Sequence, residues 1–434
     1  MFLESTISDI ENYPFLNPFR FENDPSKKYW HISTLESLLE ENWNSIEEGV
    51  TENREYLAAR EKIFSSSVFQ YFTDQKNRII QESLETDNSF QILGAYTCLL
   101  DSIVQTAFDY SFIDIPLIKE RLVEELNHEL NYKQKNLPEK KEKLKLLKEQ
   151  ILEMEKNLES GSSSSREYRY FQEVESQHES ETRILEERIE ELQQLIPQIQ
   201  EFTNDKNFVL NHLVIFARGG YGRAELGLSS DRDLGYCLDT NRLNNGEAEM
   251  LRQLIVHIEN LLRNSGVETA HQYFEIDEDL SRFDEVNTLH TIPSILESRV
   301  LLGSESLATN LKNRFFQVIT FEPYVLNLVR SFSESKEPEL NRMDLKMDYG
   351  GLRSLQIPLW ITAATFGIFP SQTADLLAFL IQKHLLSHRQ ALKLCQALEF
   401  LHDLRNFSAV AKDHYFCLLY TSDAAETRLV VGWG

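Results

Sequence analysis

Leu213-Val-Ile-Phe-Ala217, Arg218-Gly219-Gly220-Tyr221-Gly222-Arg223-Ala224-Glu225 and Ser229-Ser230-Asp231-Arg232-Asp233-Leu234 together form the stretch on which the reading of this chain turns. The first five residues are an uninterrupted apolar run that ends at two glycines, the pattern of a buried strand entering a turn. Asp233-Leu-Gly-Tyr-Cys-Leu238 reads as a second strand. Two glycines after a buried strand let the backbone approach a phosphate with no side chain between them. Successive N–H groups there, or at the start of the next helix, can cradle the anion. Arg223 would add a charge-assisted contact. Asp231 and Asp233 are two apart, so on an extended segment both carboxylates project from one face. That pairing is what two divalent cations need at the centre of an in-line displacement on phosphorus: one activates the attacking hydroxyl, the other neutralises the departing group. A lone D-x-D means little, and Asp277-Glu-Asp279 reads as an exposed acidic turn. The ordered combination of strand, Gly-Gly, Arg, Glu, loop and Ser-Asp-x-Asp carries the argument. The competing reading is a Gly-rich hairpin whose aspartates cap a turn. Neither G-x-x-x-x-G-K-[ST] nor the dinucleotide G-x-G-x-x-G fits the spacing.

Downstream, Glu247 to Asn264 is an amphipathic helix with Leu251, Leu254, Ile255, Ile258, Leu261 and Leu262 on one side, and Val267 to Ile276 reads as a third strand. Residues 206–310 are therefore an α/β unit. Residues 311–416 read as helical, chiefly Leu359 to Phe366, Ala374 to Ile381 and Arg389 to Phe407, with Gly367, Pro370 and Ser387 as punctuation. The last stretch, 417–434, fits nothing before it. Its opening CLLYTSDAAE resembles the translated read-through of a sequencing-library adapter, so a non-native tail is expected there, with the native protein continuing past Phe416.

Upstream, residues 116–205 shift towards Glu, Lys, Gln and Leu. Leu144, Leu147, Ile151, Met154 and Leu158 fall at alternating three- and four-residue steps. Gly161 and the serines Ser162 to Ser165 break the pattern, which resumes through Phe171, Val174, His178, Glu181, Leu185, Ile189, Leu192, Ile196 and Ile199. Two such arms around a Gly/Ser turn predict an antiparallel coiled-coil hairpin, or two helices that pair with another subunit through 133–200. Residues 1–115 read as packing helices, from Leu35 through Trp43 and from Phe90 through Tyr110, with no functional signal. The fold class expected is α+β: a small mixed-sheet domain flanked by helical domains, with the helical hairpin inserted.

With 434 residues the chain has room for about two or three domains. Its net charge of −25 would repel a polynucleotide, since nucleic-acid binding needs a basic stripe; a protein or small-molecule acceptor is the better expectation unless a local basic patch intervenes. Cys98, Cys237, Cys395 and Cys417 are scattered, which argues against a disulfide framework or a structural zinc site. No leader-like start and no apolar run near the ~20 residues of a membrane span is visible. A cytoplasmic protein without a membrane or nucleic-acid partner is expected.

The central string resembles the active-site motif of the bacterial PII-protein uridylyltransferases and the glutamine-synthetase adenylyltransferases, within the DNA-polymerase-β-like nucleotidyltransferase superfamily. Four further segments resemble the family in order: Asn264 to His271, Ser294 to Gly303, Lys346 to Trp360 and Ala397 to Asn406. The likeness covers roughly residues 206–416. It implies that 206–310 is the nucleotidyltransferase domain and 311–416 a helical substrate-binding domain. It further implies that Gly219, Gly220, Arg223 and Ser230 take the triphosphate, and that Asp231 and Asp233 are catalytic and hold magnesium or manganese. Lys346, Gly350, Gly351 and Arg353 would lie in the helical domain that closes over the nucleotide. The implied activity is transfer of UMP or AMP from an NTP to a hydroxyl of a regulatory protein. The alternatives are a small-molecule nucleotidyltransferase, or an inactive nucleotide-binding sensor that works through the coiled coil. The chain departs from the family pattern at Ser354, which replaces a carboxylate, and at Asp348 and Tyr349. A third metal-site carboxylate is not obvious; Glu268 and Glu275 are the candidates. His402-Asp403 reads as a surface pair.

Overall fold

The computed structural model describes residues 53–85, 90–159, 165–276, 291–318, 321–334, 344–413, 419–423 and 426–430, together with Leu35 and Leu39. The Gly161 break, the Asp277-Glu-Asp279 turn and Cys417 lie outside them. Two compact units are present. One contains residues 113–204 and 243–254; the other contains the rest of the chain.

The first unit is built on two long helices, α3 (Ile115–Glu159) and α4 (Ser165–Glu201), numbered after α1 (Asn53–Glu85) and α2 (Phe90–Ile113). Lys148 pairs with Glu179, Lys140 with Glu181 and Arg188 with Glu129, so residues later in α3 meet earlier ones in α4 and the helices are antiparallel. Seam positions Ile151, Ile189, Leu192, Ile196 and Ile199 are buried, whereas Leu152 and Ile184 beside them are exposed. Each exposed ion pair contributes little, typically under ~1 kcal/mol. The buried aliphatic seam holds the helices together. Glu181, a polar seam residue, is accommodated by the Lys140 ammonium at 2.6 Å.

The second unit carries a four-stranded mixed sheet. Its strands are β1 (Leu213–Ala217), β2 (Asp233–Leu238), β3 (Ala270–Glu275) and β4 (Arg299–Gly303), in spatial order β3-β2-β1-β4. β1 is antiparallel to both neighbours and β2 is parallel to β3. Every residue of β1 is buried, which is why its sequence is an unbroken apolar run rather than an alternating one. With the sheet come α5 (Lys206–His212), α6 (Gly219–Gly222), the part of α7 (Asn245–Asn264) from Ile255 onward, α8 (Thr291–Leu296), α9 (Glu305–Val318) and α10 (Phe321–Ser333). α11 (Leu352–Phe366), α12 (Thr373–Gln382) and α13 (His388–Asp413) follow, then a hairpin of β5 (Leu419–Asp423) and β6 (Glu426–Val430). The α+β expectation is met.

Phe216 and Phe274 of the sheet pack with Ile295, Phe315, Leu328 and Trp360, so the sheet and α8 to α11 share one core. A second core joins Leu352, Leu359, Leu377, Leu380, Ala391 and Leu398 of the last helices with Leu93 of α2. Helix α2 also reaches the sheet: Asp101 accepts both Arg299 Nη groups, at 2.9 and 3.1 Å, at the start of β4. Cys98, Cys237 and Cys395 are buried and outside any disulfide. Among the described residues no helix is long and apolar enough to cross a membrane.

Candidate active site

The two halves of the central motif meet because of the β1–β2 register. Ala217 lies opposite Leu234, and the Arg218 N–H donates to the Asp233 carbonyl at 2.9 Å. The Gly-Gly turn that follows β1 and the aspartate that opens β2 therefore stand at the same end of the sheet. Gly219 has φ +54°, and a Cβ there would come within 3.2 Å of Asp233 Oδ2. Only glycine adopts that backbone without strain and still lets the carboxylate approach. The first amides of α6 precede any intrahelical acceptor.

These residues line a cavity of about 560 Å³. Its remaining walls come from the helical part of the unit: Lys346, Arg353, Gln356, Trp360, His402 and Arg405. Five cationic side chains (Arg218, Arg223, Lys346, Arg353 and Arg405) face the cavity with three carboxylates (Glu225, Asp231 and Asp233). In a chain of net charge −25 this is a local excess of positive charge. Such a cavity favours a compact polyanion.

Each charged group has its own support. Arg218 donates from Nε to the Leu234 carbonyl at 3.0 Å and from Nη1 to Gln272 Oε1 at 2.6 Å, with Nη2 3.9 Å from Asp233 Oδ1. Burial lowers the Arg218 pKa, and Asp233 works against that. Asp233 is pushed up, first by burial and further by Asp231, while Arg218, Lys346 and Arg353 oppose the shift. Burial, reinforced by Arg353 and Arg405, pulls the Lys346 ammonium down. Arg353 lies 4.8 Å from the Trp360 ring centroid and donates to Gln356 at 2.9 Å. Burial, with the repulsion of Arg223 next, lowers its pKa to about 10.

Gly219, Gly220, Ser230, Asp231, Asp233, Lys346 and Arg353 are all brought to this one cavity. Arg223 also borders it, but its charge is already matched. Nε donates to Glu225 and Nη1 to Glu297, both at 2.8 Å, with 8% of the side chain exposed. The turn that follows the glycines folds Arg223 inward, so it braces the site instead of presenting a free cation. Glu268 does not reach the cavity. Gly266, at φ +70°, turns the chain after α7, and Glu268 is left exposed on the approach to β3, its carbonyl accepting from Arg232 at 3.0 Å. Glu275, at the far end of β3, takes the Tyr273 hydroxyl at 2.7 Å. The β3 side chain that lines the cavity is Gln272, an amide where a third carboxylate was sought.

His402 is not a surface residue. It is 3% exposed on α13 and lines the cavity. Burial drives its pKa down to about 4, Arg405 and Arg223 add to the fall, and Glu225 opposes it. The departures at Asp348 and Ser354 build the loop ahead of α11. Asp348 accepts the Asp344 N–H at 2.6 Å, and Ser354 Oγ accepts the Gly350 N–H at 2.9 Å. Glu297, Trp360, His402 and Arg405 lie within the segments that resemble the family but are not among the site residues that the resemblance implies, and Gln272 lies just past one of those segments; the fold brings all five to the site. Thr373 of α12 donates to Glu225, and Asn406 of α13 accepts the Leu228 N–H at 3.0 Å, which fastens the motif loop to the last helices.

Residues 330–416 match the family model described as GlnD PII-uridylyltransferase. Curated relatives are bifunctional uridylyltransferase/uridylyl-removing enzymes. That of Zymomonas mobilis is 29% identical over 165 residues, 36% of this chain and 17% of the relative. That of Ectopseudomonas mendocina is 30% identical over 206 residues, 44% of this chain and 21% of the relative. That of Rhodospirillum rubrum is 26% identical over 231 residues, half of this chain and 22% of the relative. The chain thus spans about a fifth of the length of these relatives. By the family model over 330–416 and by these partial matches, the chain is related to the PII-uridylyltransferase family.

Proposed function

We propose that this chain is a nucleotidyltransferase that moves a nucleoside monophosphate, UMP or AMP, from an NTP to a hydroxyl of a regulatory protein. The observation that carries the reading is the juxtaposition in one cavity of Asp231 and Asp233 with the cations Arg218, Lys346, Arg353 and Arg405. The kinship with uridylyltransferases supports the same class of chemistry.

The cationic wall would bind the triphosphate, and the Gly219–Gly220 backbone would close on it. The acceptor oxygen forms a bond to the α-phosphorus, the bond to the bridging oxygen breaks, pyrophosphate departs and the hydroxyl proton passes to solvent. Asp231 and Asp233 would hold magnesium or manganese, which when bound neutralises triphosphate charge. The donor set fits, because hard divalent ions use one or two carboxylates plus substrate phosphates. Among the described residues no cluster of three or more His, Cys, Asp or Glu could hold a metal, so phosphate oxygens would complete the shell. Lys346 and Arg353 already line the cavity, and cations set in place before the reaction would lower its barrier.

A second reading, nucleotide binding without turnover, draws on Gln272, which stands where a further carboxylate would help hold metal. Incubation of the chain with α-labelled UTP, ATP, GTP or CTP, Mg²⁺ and cell extract separates the readings. A labelled protein band that disappears with Asp233→Ala is the expected result. Label in a small molecule would mean a different acceptor class. Binding of nucleotide with no transfer to anything would leave only the sensor reading, with the α3–α4 helices as its partner surface.

A further inference from the structure

Arg232 stands between the two aspartates, yet its guanidinium goes to neighbours outside the cavity. Nε and Nη2 both donate to the Tyr96 hydroxyl oxygen, at 3.3 and 2.9 Å, and Nη1 donates to the Glu268 carbonyl at 3.0 Å. The Phe72 ring lies 5.3 Å from the guanidinium carbon. Tyr96 is fully buried in α2 and Phe72 is buried in α1, so the anchor is part of a rigid core. Three separate elements (α1, α2 and the entry to β3) thus grip one side chain.

The consequence follows from strand geometry. In an extended segment neighbouring side chains point to opposite faces, so fixing residue 232 on one face fixes 231 and 233 on the other. Asp233 is the first residue of β2 and is held by the sheet, whereas Asp231 precedes the strand and is exposed. The Ala270 N–H donates to the Arg232 carbonyl at 3.1 Å, carrying the backbone pairing one residue past β2, and the Arg232 side chain adds the anchor that sets which face residue 232 presents. The same helix α2 grips the other side of the site through the Asp101–Arg299 pair, and Arg299 lies 6.0 Å from the ring of Tyr221 in the Gly-Gly turn.

We propose that Arg232 is a positioning residue: helices α1 and α2 hold it, and it holds Asp231 and Asp233 in the arrangement that takes a divalent cation together with a nucleoside triphosphate. The helices ahead of the sheet are then working parts of the site. The inference rests on the functional reading above.

The test is binding, on the full chain. Mn²⁺ affinity at saturating UTP is followed by the loss of free-Mn²⁺ electron paramagnetic resonance signal, and UTP affinity in EDTA by calorimetry, for Arg232→Met, Arg232→Lys and Tyr96→Phe. Loss of an outer support of a metal ligand costs about 10–100-fold in metal affinity. The expected result is a Mn²⁺ affinity at least about tenfold weaker for Arg232→Met. The loss should be smaller for Tyr96→Phe, partly restored in Arg232→Lys, and UTP affinity without metal should be unchanged. Unchanged Mn²⁺ affinity would overturn the proposal, and so would an equal fall in metal-free UTP binding, which marks a general loss of structure. A wild-type chain that binds neither UTP nor Mn²⁺ defeats the functional reading and this inference with it. A wild-type chain that binds both while the variants match it defeats the inference alone.

Discussion

Arg223 and Glu297, 74 residues apart in sequence, meet at 2.8 Å with 8% and 5% of their side chains exposed. Glu225 takes the same guanidinium from the other side, so one buried cation joins the turn after β1 to the segment before β4. Burial alone would lower the Arg223 pKa, but the two carboxylates outweigh it and hold the pKa above its ordinary value. Glu297, for which burial is the larger influence, is shifted up. Removing one partner from such a pair leaves an uncompensated buried charge, which costs about 3–5 kcal/mol. Arg223→Met should therefore lower the urea midpoint substantially, and adding Glu297→Gln should recover part of it. Near-normal stability with weakened UTP binding would show instead that Arg223 spends its charge on the triphosphate.

Acid should destabilise the fold through His402. Its pKa is pushed from 6.5 to about 4, mainly by burial, so between those values the unfolded chain binds a proton that the folded chain refuses. Stability is then intact above about pH 6.5, falls as pH drops towards about 4, and is constant in this respect below it. A shift of this size corresponds to about 3 kcal/mol. His402→Gln should flatten that limb of the stability–pH curve measured by urea unfolding. An identical limb in the variant would assign the acid sensitivity to other groups.

The strands that position the site were legible because each is bounded by strong local signals. β1 and β2 have the ends read from the sequence, an apolar run stopped by Gly219 on one side and a run opened by Asp233 on the other. β4 was not separately legible. Its five residues are all half-buried, so no alternation or continuous apolar core distinguishes them. The cavity's far wall was less legible still. His402 and Arg405 sit in the Ala397–Asn406 segment that resembles the family, but its apolar spacing says only helix, and their burial follows from the docking of α13 against the motif loop, where Asn406 accepts the Leu228 N–H. Glu268 lies outside the cavity for a related reason. Its place is set by the turn at Ser265 and Gly266 that follows α7, which leaves Glu268 exposed ahead of β3 while Gln272 within the strand lines the cavity.

Gly219 and Gly220 should respond differently to alanine. At Gly219 the positive φ and the 3.2 Å approach to Asp233 both oppose a Cβ, whereas at Gly220 the nearest atom, the Glu225 carbonyl oxygen, is at an ordinary 3.5 Å. Gly219→Ala should lose about 1–2 kcal/mol of stability along with nucleotide binding. Gly220→Ala should keep its thermal midpoint and lose affinity for UTP, because its Cβ would narrow the phosphate approach. Equal behaviour of the two variants in thermal unfolding would argue against this division.

Arg353 offers the sharpest probe of what the cavity binds. Its guanidinium is fixed over Trp360 and by Gln356, while its buried Nε has no hydrogen-bond partner among the described residues. A donor held in place and left unsatisfied costs free energy that an incoming anion would return. With a pKa near 10 the group stays cationic at neutral pH despite its burial. Hydrogen bonds to charged groups contribute about 1.5–3 kcal/mol, or roughly 10–100-fold in affinity. Arg353→Met should therefore weaken UTP binding by about that factor and uridine binding hardly at all, as read by calorimetry. If both ligands weaken alike, Arg353 acts through Trp360 on the shape of the pocket, and the triphosphate contact belongs to Arg218, Lys346 and Arg405.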